Sequence, residues 1–487
     1  VIAVLAAFLV SFAASLTVES FPPSLAAARA PWRALALRLL LHVGLFAAAF
    51  ALSWRPWHAA LVVTVVAFLF GLGSATKRGI LGEPLTFNDF ALVRLAIRHP
   101  RLYYAERLVE PKALALFAAL ALATAGWFAV EPSVLPPGGW PALALPPLIA
   151  AGVLLALRSR AAAAWARPVV GEAVDGETAV ARFGLGASLA LHWLAWRGME
   201  RPSPAARAAA RAAPKPGPAA DGPALIVAIQ CESFVDVAAR GAPGPELPAY
   251  RALCREAVAW GRCRVTAEGA YTMRSEFGFL TGLPAAALGL DALDPFLAGS
   301  AYAEASLARK LCASGRRTVF LHPYDRRFFD RDVLAPAFGF ERFVGLEGFP
   351  DAERFGPYVS DAAVADAILK EAAAATEPTF LFVVTIENHG PWGPGRLPGL
   401  DDPAAQYARH LENADRMIGR VAAGLADRPG GALLCVYGDH APARTVHPGL
   451  PDRMATDYAL WDSRDQRGTP RRDLDVDALG RLTLERA

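Results

Sequence analysis

Cysteine is scarce in this chain, and what there is does not cluster. The five cysteines, Cys231, Cys254, Cys263, Cys312 and Cys435, form no CxxC pair. That argues against a zinc cluster and against a disulfide framework as organising devices. Cys254 and Cys263 are close enough in sequence to bridge in an oxidising compartment, but the expectation is that they do not. Net charge is nearly absent as well, at +3 over 487 residues. With no basic stripe interleaved with aromatics, nucleic acid is not an expected partner. Charge is missing above all from the first third, where Val1 to Val18 and Ala113 to Val130 carry none.

What fills the space is apolar surface. The chain is 54% hydrophobic and only 20% charged, with a mean hydropathy of +0.29. This is too apolar for an ordinary soluble protein, yet the second half is too polar for a bundle of membrane spans. A membrane part followed by a soluble part satisfies both. Five stretches approach the roughly 20 residues that cross a bilayer: Val1 to Val18, Ala34 to Trp54, Pro56 to Thr76, Ala113 to Val130 and Gly139 to Leu157. Arg38 lies near one end of the second, where it is expected to snorkel. The sequence opens inside an apolar run, so an N-terminal portion is expected to be missing. Lys77 to Lys112 is charged, with helical stretches. Phe183 to Trp196, at 14 residues, reads as an interfacial helix rather than a span. Arg201 to Pro223, rich in Ala, Pro and Arg, reads as a semi-rigid basic linker. The expected domains are therefore 1–160 (about five membrane helices), 161–223 (interfacial helix and linker) and 224–487 (catalytic). A count of positive residues in the loops favours a cytoplasmic catalytic half, whereas five spans from a cytoplasmic N-terminus favour the outside.

From Ala224 the pattern alternates. Continuous apolar runs at Ala224 to Ile229, Thr318 to Leu321, Thr379 to Ile386 and Ala432 to Tyr437 suit buried parallel strands. Helical spacing predicts helices over Tyr302 to Ser314, Ser360 to Ala375 and Pro403 to Ala426, with Ser360 as an N-cap. The alternation argues for a doubly wound α/β domain whose site lies beyond the carboxyl ends of the strands. Those ends carry chemistry. The four runs exit into Glu232, His322, Asn388-His389 and Asp439-His440.

Ahead of an amphipathic run stands Thr272. Locally it reads as an ordinary N-cap, or as a hydroxyl at a helix end that welcomes phosphate. Together with Glu232, Asp439 and His440 it would offer a divalent ion three oxygens and one imidazole. Mn²⁺, Mg²⁺ and Zn²⁺ are all compatible with that set. Such an ion would lower the pKa of the threonine and offset phosphoryl charge. His389 would protonate a leaving group or bind the phosphate. The segment His322 to Arg331 offers an imidazole, an aromatic wall and a guanidinium fork for a phosphate ester. Its plainer reading is a salt-bridged surface loop.

Taken together, Glu232-Ser233-Phe234, Thr272 with Glu276-Phe277, His322 with Phe329 and Arg331, Asn388-His389 and Gly438-Asp439-His440 resemble the lipoteichoic acid synthase and phosphoglycerol transferase family. That family is a sulfatase-like branch of the alkaline phosphatase superfamily. Lys77, Gly82-Glu83-Pro84-Leu85, Asp89 and Arg182-Phe183-Gly184-Leu185 resemble its membrane half. The resemblance implies five spans, an extracytoplasmic catalytic domain, and metal ligands at Glu232, Thr272, Asp439 and His440, usually for Mn²⁺ or Mg²⁺. It also implies transfer of a head group from a phospholipid such as phosphatidylglycerol, through Thr272, to a hydroxyl of a glycan or glycerol-phosphate polymer. His322, Phe329, Arg331 and His389 would hold the glycerol phosphate. Tyr324 and Arg444 stand where the family carries a carboxylate and a serine that grip the glycerol, so acceptor or head group is expected to differ. Sulfatase chemistry proper needs a C/S-x-P-x-R type motif, which Thr272-Met273-Arg274-Ser275 lacks. A lipid phosphodiesterase and a phosphoethanolamine transferase are the alternative readings.

Overall fold

The computed structural model describes residues 1–20, 29–91, 111–136, 139–171, 174–466 and 468–487. The chain divides into two compact units, Val1–Met199 and Glu200–Ala487. In the first, apolar helices occupy all five expected places: Ile2–Val18, Trp32–Ser53, Pro56–Leu81, Pro111–Val130 and Trp140–Arg158. Among the described residues, Trp32–Ser53 and Pro56–Leu81 are long and apolar enough to span a membrane on their own. A third span results if Ala142–Arg158 and Arg160–Val170, bent by 63°, count as one. Large apolar side chains such as Leu52, Leu122 and Leu155 stand exposed on these helices, as lipid-facing positions do.

Inside this unit charges pair instead of snorkelling. Arg38 is buried and its Nη1 donates to Glu19 Oε1 at 2.5 Å. Glu19 also accepts from the backbone N–H groups of Leu185 and Gly186, each at 3.1 Å. A guanidinium within an apolar bundle needs such a partner, because stranding one charge there costs several kcal/mol, on the order of 3–5. The expected interfacial helix is also different. Gly184, at φ 78°, separates helices Gly176–Phe183 and Leu185–Arg197. The second helix buries Leu185, Ala187, Leu191, His192 and Leu194. A helix apolar on every side is a buried one. Lys77 pairs with Glu83 at 2.9 Å and Asp89 at 2.8 Å, tying the charged segment into a local knot. The expected helical stretches between 92 and 110 lie outside the described residues.

The second unit starts earlier than the sequence pattern predicts. Residues 201–223 belong to it rather than standing off as a linker. Helix Pro204–Ala212 is capped by Ser203, whose hydroxyl donates to Ala287 O at 2.7 Å, and Arg201 pairs with Asp291 at 2.9 Å. The strands are β1 (Leu225–Cys231), β2 (Ala259–Arg264), β3 (Arg317–Leu321), β4 (Arg342–Val344), β5 (Arg354–Phe355), β6 (Tyr358–Val359), β7 (Thr379–Val384), β8 (Ala432–Gly438), β9 (Ala455–Asp462) and β10 (Leu474–Asp475). Strands β5 and β6 pair separately; the rest form one sheet in the order β10-β2-β9-β8-β1-β7-β3-β4. From β8 to β4 all neighbours are parallel, while β9 runs antiparallel between β8 and β2.

Every residue of β1, β7 and β8 is buried, which explains their unbroken apolar runs. Each buried Val, Leu, Ile or Phe stabilises by about 1.5–3 kcal/mol. Of the predicted helices, Ser360 caps Asp361–Ala374 through Ala363 N, and Pro403–Leu425 stands where expected. The run over 302–314 is not continuous. A 3₁₀ segment, Pro295–Ala305, gives way at Ser306 to helix Leu307–Ala313, with Ser306 as its cap. All five cysteines are free.

Candidate active site

Register puts the strand ends side by side. Gln230 aligns with Val384 on β7 and with Tyr437 on β8, and Cys231 aligns with Gly438. Glu232 and Asp439 therefore emerge at the same height, as the rule for open α/β sheets requires. Gly438 is where two backbones meet: a Cβ there would stand 2.0 Å from Phe234 O. Gly438→Ala is expected to shift the two ligand-bearing turns apart and cost about 3 kcal/mol. A drop in thermal midpoint would show it; an unchanged variant would refute the close approach.

Glu232, Asp439 and His440 present donor atoms that all lie within 4.8 Å of one another, and all three residues are buried. Supporting bonds fix each of them. Glu232 N–H donates to Thr385 Oγ1 at 2.9 Å and Ser233 Oγ donates to Glu232 Oε1 at 3.2 Å. Asp439 Oδ1 accepts from the N–H groups of Ser233 and His440, both at 2.8 Å. Ser233 itself is held at φ 51°, with Tyr407 donating to its carbonyl at 2.8 Å. His440 Nδ1 donates to Ala441 O at 2.9 Å, which turns Nε2 toward Glu232 (3.3 Å) and Asp439 (3.4 Å).

The donor set fits a divalent ion. Asp439 Oδ2 is buried without a hydrogen bond, and a backbone-anchored imidazole is how metal-ligating histidines are oriented. The electrostatics agree. Burial and Glu232 push the Asp439 carboxyl up to about 7, against the pull of His440, Ser233 N–H and the Thr272 hydroxyl. Burial alone would raise Glu232, but His389, His440 and Ser233 overcome it and hold it at about 2. His440 rises to about 9 because the two carboxylates outweigh its burial. Such strain between like charges is what a cation would relieve.

Thr272 opens helix Thr272–Thr281 but does not cap it. The N-cap is Tyr271, in the left-handed conformation at φ 65° and ψ 46°, and it makes no side-chain cap bond. Thr272 is thus freed for other contacts, beside Asp439 and at a helix N-terminus whose first N–H groups favour an anion. Ser275, one turn on, donates to Asp439 O at 2.5 Å and ties the helix to the turn that carries Asp439 and His440.

The predicted substrate residues divide. His322 Nδ1 donates to Val384 O at 2.9 Å, leaving Nε2 buried and unpartnered. Burial first, then Arg331, lowers its pKa to about 3. A ring kept neutral in the fold but titrating near 6.5 when unfolded contributes stability that is complete above pH 6.5 and declines as pH falls toward 3. Thermal midpoints of the full chain are expected to fall between pH 7 and pH 5, and less so in His322→Asn. A parallel fall in both proteins would assign the effect elsewhere.

Arg331 is 2% exposed and its Nη2 donates to Glu276 Oε2 at 2.6 Å, with Nε bridging both carboxylate oxygens at 3.2 Å. Its fork is engaged by Glu276 rather than held open. Phe329, at φ 59°, places its ring 5.2 Å from that guanidinium and 4.1 Å from Phe328. The surface-loop reading holds for the middle of this segment, where Arg326 pairs with Glu347 and Arg327 with Asp325. His389 Nδ1 donates to Gly390 O at 2.7 Å, and its ring stands 5.9 Å from Tyr358. Tyr324 extends the same aromatic wall, 6.1 Å from His322 and 6.4 Å from Tyr358. Arg444 is paired with Glu268 at 2.8 Å. Asn388 carries no assigned role in the sequence reading, yet it is buried with Nδ2 unpartnered and Oδ1 held by Trp392 at 3.0 Å. Its signal was only its place beside His389.

The family model described as Sulfatase matches residues 224–469. The capsular polysaccharide biosynthesis protein RkpI of Rhizobium meliloti is 35% identical over 450 residues, 89% of this chain and 82% of that protein. A putative cyclic beta-1,2-glucan modification protein of the same organism is 28% identical over 186 residues, 36% of this chain and 29% of its own. Among solved structures, the integral membrane lipooligosaccharide phosphoethanolamine transferase A of Neisseria meningitidis aligns with 93% of this chain and 88% of its own. The TM-score is 0.53 at 13% identity, a likeness of fold.

Proposed function

This chain belongs to the sulfatase family, and we propose that it is a membrane-bound phosphoglycerol transferase. It would move the head group of a phospholipid such as phosphatidylglycerol to a hydroxyl of a glycan, with the second unit outside the cytoplasm. The observation that carries this reading is the convergence of Glu232, Asp439 and His440 beside a threonine hydroxyl at a helix N-terminus. A polysaccharide acceptor is supported by the capsular polysaccharide role printed for the 35% identical relative.

Glu232, Thr272, Asp439 and His440 would hold one divalent ion, Mn²⁺ before Mg²⁺ or Zn²⁺. When bound, it supplies positive charge that lowers the threonine's pKa and offsets negative charge on the phosphoryl oxygens. Thr272 Oγ1, its proton lost to solvent, forms a bond to phosphorus as the bond from phosphorus to the diacylglycerol oxygen breaks. His389 gives that oxygen its proton. The N–H groups at the start of helix Thr272–Thr281, with Asn388, steady the phosphoryl oxygens, while the neutral His322 accepts a head-group hydroxyl at Nε2. An acceptor hydroxyl, giving its proton back to His389, then attacks the same phosphorus and releases Thr272.

The test is incubation of the purified full chain with labelled phosphatidylglycerol and Mn²⁺, read by intact mass. Expected are released diacylglycerol, a phosphoglycerol adduct on Thr272, and loss of both on chelation with recovery on adding Mn²⁺ back. Phosphatidylethanolamine in parallel decides the head group. Diacylglycerol release without an adduct, insensitive to acceptor, would make the protein a phosphodiesterase.

A further inference from the structure

We propose that the first unit holds an anionic phospholipid of its own, with one acyl chain in an apolar groove and the phosphate on a cluster of arginines at the groove's end. The groove has a volume of about 370 Å³, within the range of ligand sites. Only alanine, leucine and tryptophan line it, with Leu37, Leu157, Trp165 and Leu194 as its larger walls. These come from four helices, Trp32–Ser53, Trp140–Arg158, Arg160–Val170 and Leu185–Arg197. Ala161 and Ala162 leave open the space that longer side chains would fill.

Charge of one sign gathers where these helices meet. Arg33 lies one turn before Leu37, Arg158 follows Leu157, Arg160 precedes Ala161, and Arg197 lies one turn after Leu194. Arg197 donates to Leu157 O at 3.1 Å and to Arg158 O at 2.8 Å, which draws two helix ends together. The four helices contain no Asp or Glu. All four of these arginines are exposed, and among the described residues none of them makes an ion pair. Arg38, on the same helix as Arg33, is by contrast taken by Glu19. The surplus is therefore uncancelled, and phosphate is an anion that the guanidinium fork matches.

Tryptophans set the depth. Trp32 stands exposed, Trp193 has Arg197 Cζ 4.7 Å from its ring, and Trp165 lines the groove. Such rings settle at the headgroup level of a bilayer. The chain bends by 63° between Ala142–Arg158 and Arg160–Val170, so Arg158 and Arg160 stand where the span ends. An apolar wall for the tail with guanidinium groups at phosphate level is the arrangement by which basic pockets between membrane helices take anionic lipids. A zwitterionic lipid brings its own cation to the cluster and gains less. The site is built from the first unit's residues and does not rest on the transferase reading.

Photolabelling tests the assignment. The full chain is reconstituted in phosphatidylcholine vesicles with a trace of phosphatidylglycerol carrying a diazirine on one acyl chain, and labelled peptides are mapped after photolysis. Phosphatidylcholine with the same diazirine is the parallel probe. A chelator is present throughout, so that the lipid stays intact whatever the second unit does. Labelling over 36–40 and 156–165 is expected to favour the anionic probe by about tenfold or more. Helix Pro111–Val130, apolar and exposed, should be labelled equally by both.

Arg158→Gln with Arg160→Gln, at exposed positions, is expected to bring the anionic probe down to the level of phosphatidylcholine in the groove. Ala161→Trp, also exposed, fills the groove and should lower its labelling while every arginine remains. Labelling in Thr272→Ala should equal that of the natural sequence. Equal labelling of the groove by both probes would make this annular contact only and overturn the proposal. So would a preference that survives in the arginine variant, or a groove still labelled in Ala161→Trp. If the preference holds while lipid turnover is absent with Mn²⁺ supplied, the transferase reading fails and this site stands.

Discussion

Thr272→Ala is expected to lower diacylglycerol release from phosphatidylglycerol by on the order of 10⁴-fold or more, the scale on which removing a covalent nucleophile acts. The substitution should leave folding intact, because Thr272 is not the cap of its helix and Tyr271 sets the entry of the chain. Thr272→Ser keeps the hydroxyl and is expected to retain turnover within about tenfold of the natural sequence. Mass spectrometry of the serine variant should still find the phosphoglycerol adduct. Release that persists unchanged in Thr272→Ala would remove the threonine from the mechanism and move attention to an activated water.

The second large effect concerns stability. Glu276 and Arg331 form an ion pair with both side chains at most 2% exposed. Glu276→Ala would leave a buried guanidinium uncompensated, and breaking such a pair costs about 3–5 kcal/mol. The thermal midpoint is expected to fall sharply, and turnover with it, because Arg331 stands under Phe329 and acts on His322. Glu276→Gln should fall between. Replacing both partners, as Glu276→Met with Arg331→Leu, is expected to recover much of the midpoint without recovering turnover. Equal midpoints for Glu276→Ala and the natural sequence would mean that water reaches Arg331 and that the pair matters little.

That pair also marks a limit of sequence reading. Glu276 and Arg331 are 55 residues apart, and nothing in the spacing of either says that one neutralises the other. Arg331 was legible as a guanidinium near a phosphate site, whereas its engagement by Glu276 follows from packing helix Thr272–Thr281 against the segment after β3. Arg38 gives the same lesson within the membrane half. Its sequence position allowed snorkelling; folding supplied Glu19 instead. Arg444 stands where the resemblance led one to look, and Glu268, a partner 176 residues away, holds it.

Local pattern was decisive where burial is two-sided. Strands β1, β3, β7 and β8 were readable because both faces of a parallel sheet are covered, leaving unbroken apolar runs. Strands β2 and β9 carry no such run. β2 alternates in burial along Ala259–Arg264, and β9 carries polar residues such as Thr456 and Asp457 in its run. The helix expected over 302–314 failed because apolar spacing persists across Ser306, while the hydroxyl of that serine starts a new helix there.

By itself, then, the sequence determined that an apolar helical half precedes an α/β half, and that Glu232, His322, His389 and Asp439-His440 leave the sheet at one edge. Hydrophobic period and the direction of parallel strands suffice for that. Only the tertiary structure decided which of these groups meet. Register aligned Cys231 with Gly438, and the close approach of Gly438 to Phe234 brought the two carboxylates and His440 within reach of one ion. The left-handed turn at Tyr271 set Thr272 beside them. Donor distances of a few ångströms are fixed by packing between segments far apart in the chain, and no local pattern encodes them.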